Sequence, residues 1–170
     1  MPLLELKYAA IQVVKENGAA LVLASPDIRA DQYVVMTALA GCGLALQSAA
    51  PELRADLNTV RMAVYSDGRA LAYASRALRS DRGVVRLALD SHGKALQHAA
   101  AELRADREIA LAAVAQDGLA LQFVAAELHA DREVVWEAAK QNRDALQYAT
   151  EPLRSEFAAV IARLPFPESR

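Results

Sequence analysis

The stretch ALQHAAAELRADREIALAAVAQD, residues Ala95 to Asp117 and followed by Gly118, decides how the chain reads. Shifted by 25 residues in either direction, it recurs. Leu21, Leu46, Leu71, Leu96, Leu121 and Leu146 share one register, and Ile28, Leu53, Leu78, Leu103, Leu128 and Leu153 share another. Asp31, Asp56, Asp81, Asp106 and Asp131 form a third, which Glu156 completes. No insertion breaks the period, and self-similarity at such a period means a stacked array.

Each period holds two expected elements. From Asp106 the chain reads DREIALAAVAQDG, with Asp as N-cap and Ile109, Ala110, Ala113 and Val114 on one helical face. Gly118 then suits a left-handed position just past the helix end. Asn142, before Arg143, is assigned the same conformation where the glycine is missing. The next piece, LALQFVAAEL, places Ala120, Leu121, Val124 and Leu128 on one side of a shorter helix. Pro26 and Pro51 sit just inside a capping turn, where a missing N–H costs nothing. No period-two alternation supports a strand, and Asp67-Gly68 and Asp117-Gly118 close helical patterns. The fold class is all-α: an α-solenoid of 25-residue helix-turn-helix repeats with a long and a short helix. One repeat offers too little apolar surface to offset its backbone entropy, so stability depends on neighbours.

The elements "LALQ-aromatic-A-S/A-x-x-L-R-A-D-R-E-V-V" and "A-A-V-x-Q-D/N-G" stand here as Leu119 to Val135 and Ala112 to Gly118, with His129 in place of the pattern's Arg. In these the chain resembles the domain-of-unknown-function 4116 repeat family, from about Ala9 to Leu164. The resemblance implies helical repeats and carries over no catalytic residue.

Four segments are expected: an N-terminal capping half-repeat (1–19), five tandem repeats (20–144), a C-terminal capping unit (145–164) and a flexible tail (165–170). The first unit is degraded, with Leu6 where the N-cap Asp would fall. Arg163 falls on a core register and suits a unit with nothing stacked beyond it. A net charge of −2 and a pI near 5.9 argue against a general nucleic-acid binder. The single cysteine, Cys42, leaves no internal disulfide and fits a reducing, cytoplasmic setting. No apolar run reaches the roughly 18 residues of a membrane span, and the N-terminus lacks the pattern of a signal peptide.

Candidate chemistry is sparse. Arg29, Arg54, Arg79, Arg104 and Arg154, with His129 between them, lie two residues before the Asp register. They read as a structural ladder with Asp31, Asp56, Asp81, Asp106 and Asp131, each Arg bonding a carboxylate or the carbonyl end of a neighbouring helix. The competing reading is a row of cations for phosphates. His92, His98 and His129 fall at three different repeat positions, and with one cysteine they make no zinc set. Gly41-Cys42-Gly43 lacks the preceding strand of a dinucleotide site. No metal, no cofactor and no enzyme activity is therefore expected.

A second pair of registers carries Gln47, Gln97, Gln122 and Gln147 beside Tyr73, His98, Phe123 and Tyr148. These eight face outward and read either as a solvated helix face with incidental aromatics or as a recognition row, with amides for polar groups and aromatics for contact area. Small residues on the short helices are expected to let that side stack more tightly and line a concave face. Met36, Arg61, Arg86, Leu111 and Trp136 form a rival row on the long helices. The expected function is a non-enzymatic binding or scaffold module, monomeric, that presents this surface to a protein or peptide. Sequence-nonspecific nucleic-acid binding and an enzyme-associated accessory fragment are the alternatives.

Overall fold

A computed structural model describes residues 3–162, the side chain of Leu3 apart. The expected tail and Arg163 lie outside the described residues. Among them there are helices and no strands. Long helices recur at Leu3–Glu16, Gln32–Gly41, Leu57–Ser66, Arg82–Ser91, Arg107–Gln116 and Arg132–Gln141. Each packs on the long helix before and after it.

The expected shorter helix is two elements instead of one. After each long helix comes a six-residue 3-10 helix: Gly18–Leu23, Gly43–Ser48, Gly68–Tyr73, Gly93–His98, Gly118–Phe123 and Arg143–Tyr148. Two extended residues break the chain, and a single turn follows at Pro26–Ala30, Pro51–Arg54, Arg76–Arg79, Ala101–Arg104 and Ala126–Ala130. The period of three explains the tighter coil. Gly118, Leu121 and Val124 stand three apart, and three residues per turn aligns them on one buried face. An α-helix would rotate the third of them away. The 3-10 helices stack on one another as a second column.

The core lies between the two columns. Val34, Val35, Ala38 and Leu39 from the long helices and Leu46, Leu71, Leu96 and Leu121 from the 3-10 helices are fully excluded from solvent. The Ile109, Ala110, Ala113, Val114 face is buried as expected. Ala45, Ala70, Ala95, Ala120 and Ala145 fill the spaces where a larger side chain would force the columns apart. Pro26 and Pro51 occupy first-turn positions, as expected.

Two expectations about backbone conformation are corrected. No described residue, glycine or otherwise, has positive φ. Asn142 and Asp117 at the long-helix ends are extended, with φ near −150° and −146°. The glycines are required by proximity instead. A Cβ on Gly68 would lie 2.2 Å from the Ala88 carbonyl oxygen, and on Gly93 2.5 Å from that of Ala113. Each glycine thus seats one 3-10 helix against the carboxyl end of the next long helix. Its N–H is also used across the repeat boundary: Gly93 donates to Gln116 Oε1 at 3.0 Å and Gly68 to Ser91 Oγ at 3.2 Å.

Both ends depart from the pattern. Leu3–Glu16 is one uninterrupted helix, with no capping break at Leu6. At the other end Leu153–Ile161 fuses the single turn and the long helix, because Glu156 does not cap as Asp does. That helix buries Phe157 and Ile161 and leaves Val160 exposed, a rotation relative to the register of Val134 and Val135.

Candidate functional site

The aspartate register caps the long helices. Asp106 Oδ1 accepts from the N–H groups of Glu108 and Ile109, both at 3.0 Å. Asp31 and Asp131 do the same for their helices. Asp81 accepts from Val84, and Asp56 accepts from the N–H and the hydroxyl of Thr59.

Their ionic partners are not the arginines two residues upstream. They are the first residues of the preceding long helices, or, in the first unit, Lys7 within the helix Leu3–Glu16. Arg82 pairs with Asp106 and Glu108, Arg107 with Asp131 and Glu133, Arg132 with Glu156, and Lys7 with Asp31. These pairs join adjacent repeats. The Arg82 guanidinium is the largest influence holding the Asp106 carboxyl below its usual range, and Arg107 does the same for Asp131. At Asp56 the bond from the Thr59 N–H does it. The expected Arg-to-carboxylate ladder is therefore corrected. The capping carboxylates face the start of the next long helix, and it is the cation of the preceding long helix that meets them there.

What remains of the arginine register is backbone and unpaired side chain. The carbonyls of Arg29, Arg54, Arg79 and Arg104 accept from Ala50, Ser75, Ala100 and Ala125 at 2.8–2.9 Å, binding turn to turn along the array. The Nε atoms of the same four arginines are buried and have no hydrogen-bond partner. A buried donor left unmade costs about 1–3 kcal/mol. Among the described residues the expected carbonyl contact is found where the row ends or changes residue. Arg154 donates to the Ala149 carbonyl at 2.7 Å, and the His129 Nε2 lies 2.9 Å from that of Leu121.

The candidate residues of the 3-10 helices are placed as a row. Gln47, Gln97, Gln122 and Gln147 occupy the fifth position of successive 3-10 helices and are exposed. Tyr73, His98, Phe123 and Tyr148 occupy the sixth and are half-buried. Tyr73, Phe123 and Tyr148 rest against the core, so each offers an edge instead of a free ring. Gln122 turns back to its own helix, donating to the Leu119 carbonyl at 3.0 Å.

The two registers meet at His98. A groove of about 670 Å³ opens between the turns Arg76–Arg79 and Ala101–Arg104, and Arg76, Arg79, Ser80, His98 and Glu102 line it. Burial, and then the nearby charge of Arg79, push the His98 imidazole below its usual pKa. Sequence reasoning missed this groove, since His98 was assigned to one row and Arg79 to another. On the long helices Trp136 packs against Phe157 with ring centroids 5.1 Å apart, and the Arg132 guanidinium sits 5.1 Å from the Phe157 centroid. Trp136 is thus engaged by the last helix. Among the described residues no cluster of His, Cys, Asp or Glu could hold a metal ion, and no helix is long and apolar enough to cross a membrane.

Stacked columns of long and 3-10 helices, tied by one glycine contact and one backbone bond per repeat, define a helical-repeat solenoid. The model of a domain of unknown function, DUF4116, matches at residues 31–79, 56–104, 81–128 and 106–154. The chain belongs to this repeat family. No curated protein and no solved structure matches it.

Proposed function

We propose that the chain is a non-enzymatic binding module that presents the ends of its 3-10 helices to a protein or an extended peptide. The observation that carries this reading is the pair of aligned registers: exposed glutamines stand beside half-buried rings on three consecutive stacked helices, at Gln97-His98, Gln122-Phe123 and Gln147-Tyr148, and Tyr73 and Gln47 extend one register each. Half-buried aromatics are held in place by the core, so they present contact area at little entropic cost. The glutamines supply donors and acceptors for a backbone lying across them. Extended solenoid surfaces serve binding in this way. In this reading the protein acts as a cytoplasmic monomer. Long-helix residues make a poorer surface, because Arg82, Arg107 and Arg132 are spent on ion pairs between repeats.

The test is selection of short peptides from a displayed random library against the immobilised chain. Tyr73→Ala with Phe123→Ala is expected to weaken the selected peptides by more than about 1 kcal/mol. Arg86→Ala with Trp136→Ala is expected to do less. The reverse ranking moves the surface to the long helices.

A further inference from the structure

We infer that the groove at Arg76, Arg79 and His98 is a pocket for one carboxylate side chain of an acidic peptide. The inference rests on the peptide-binding reading above and names the chemistry of the partner.

Charge singles out this repeat. In four of the other units an acid stands two residues before the register: Asp27 before Arg29, Glu52 before Arg54, Glu102 before Arg104 and Glu127 before His129; the last unit has Pro152 before Arg154, with Glu151 beside it. Here Ala77 stands before Arg79, and Arg76 adds a second cation where other units have Pro26, Pro51, Ala101, Ala126 and Glu151. Among the described residues neither arginine has a carboxylate within ion-pair distance, although Glu102 lines the same groove, whereas Arg82, Arg107, Arg132 and Arg69 all have one. Arg79 keeps its Nε buried and unmet. The Ser80 hydroxyl is committed to the Arg76 carbonyl at 3.1 Å, which leaves recognition to the two guanidinium groups.

The net charge of the lining selects the ligand. Two arginines against Glu102 leave one positive charge, with the imidazole kept neutral by its surroundings. One carboxylate balances that. Guanidinium binds carboxylate through two parallel bonds, which fixes orientation as well as charge. A nucleic-acid backbone brings a phosphate at every step, and Asp27, Glu52, Glu102 and Glu127 along the same edge would repel it. Tyr73 and Phe123 lie one repeat to either side of His98. Packed helices stand about 8–10 Å apart, and an extended chain covers about 3.3–3.6 Å per residue. An acidic residue flanked by apolar residues roughly three positions away on each side fits that spacing.

The displayed library tests this when panned in parallel against the full chain and against Arg76→Gln with Arg79→Gln. Arg76→Gln alone, at an exposed position, serves if the double variant loses its circular dichroism. Peptides from the native chain are expected to carry Asp or Glu at one fixed position between apolar residues. Replacing that residue by Gln or Asn in a selected peptide is expected to weaken binding about tenfold or more, and Arg76→Gln is expected to shrink that difference. An apolar pattern with no fixed acid, still sensitive to Tyr73→Ala with Phe123→Ala, overturns the carboxylate pocket and leaves the binding surface standing. No selected peptide from any form overturns both. Tight binding of an oligothymidylate that Arg76→Gln abolishes, with no acidic peptide selected, makes the groove a phosphate site and overturns the peptide assignment.

Discussion

Replacing Gly93 by alanine measures what holds adjacent repeats together. The added Cβ would meet the Ala113 oxygen at 2.5 Å and the Asp117 nitrogen at 2.9 Å. An ordinary carbon-to-oxygen contact begins near 3.3 Å, so the 3-10 helix must back away by about 0.8 Å. The obstacle is backbone, which has no rotamer to change. Overpacking of this kind costs about 1–3 kcal/mol. The bond from the Gly93 N–H to Gln116 lengthens with the shift, at about 0.5–1.5 kcal/mol. Restricting the unfolded chain returns about 0.4–1 kcal/mol. The net loss is about 0.5–4 kcal/mol, or roughly 1–16 °C in Tm for a chain of this size. Thermal melting followed by circular dichroism reads it directly. Gly41→Ala is the control, because nothing lies within 4 Å of its Cβ and it ends the helix Gln32–Gly41. That change is expected to stabilise by a few tenths of a kcal/mol. Gly93→Asn separates the two explanations for the glycine. Asparagine tolerates a left-handed backbone, whereas a close approach rejects it at least as firmly as alanine. If Gly93→Asn melts like the native chain, or Gly41→Ala costs as much as Gly93→Ala, the close-approach account is wrong.

Three further outcomes are expected. Asp106→Ala removes two capping bonds and is expected to cost about 0.5–2 kcal/mol in urea unfolding, with Asp106→Asn costing less because its side-chain oxygen still caps. Acid is expected to unfold the array as the lowered carboxyls of Asp56, Asp106 and Asp131 protonate. Groups with depressed folded pKa values stabilise fully above the unfolded value of 3.8 and lose that contribution as pH falls through the folded values below it; a flat stability profile from pH 5 down to about 2 contradicts this. Leu96→Ala empties a fully buried site between the two columns and is expected to cost about 2–5 kcal/mol, checked by the same unfolding curves.

The array, its period, its capping aspartates and its long-helix core were readable because each depends on contacts within one helix or at a fixed shift of 25. Asp106 caps whatever helix follows it, and Ile109 to Val114 show a helical face without help from neighbours. The 3-10 helix was not read, since Leu119 to Leu128 satisfies a period of 3.6 as well as one of three over so short a span. Including Gly118 in the count, with Leu121 and Val124, would have exposed the period of three. The reason for the glycine was hidden because it lies in the next repeat, at Ala138 for Gly118. The ion pairs were misassigned for a related reason. Arg104 is near Asp106 in sequence, but Arg82, a full repeat away, is near it in space. The candidate row fell on matching positions of stacked helices, as its spacing implied. The groove beside it depends on which arginines lack partners, and only the folded array decides that.

The ties between repeats are short in sequence, and this has a mechanical consequence. The turn-to-turn backbone bond spans 21 residues, from Arg79 to Ala100, and the ion pairs among the described residues reach at most 26, from Arg82 to Glu108 and from Arg107 to Glu133. Tension applied to the two termini therefore has no distant clamp to overcome. Repeats should peel from the ends one at a time. Each releases 25 residues, about 85 Å of extended chain, in exchange for the roughly 10 Å it occupied in the stack. The protein then behaves as an extensible tether with a step of about 75 Å. A surface composed of equivalent positions in consecutive repeats shortens by one position at each step, so pulling would shed a bound chain gradually.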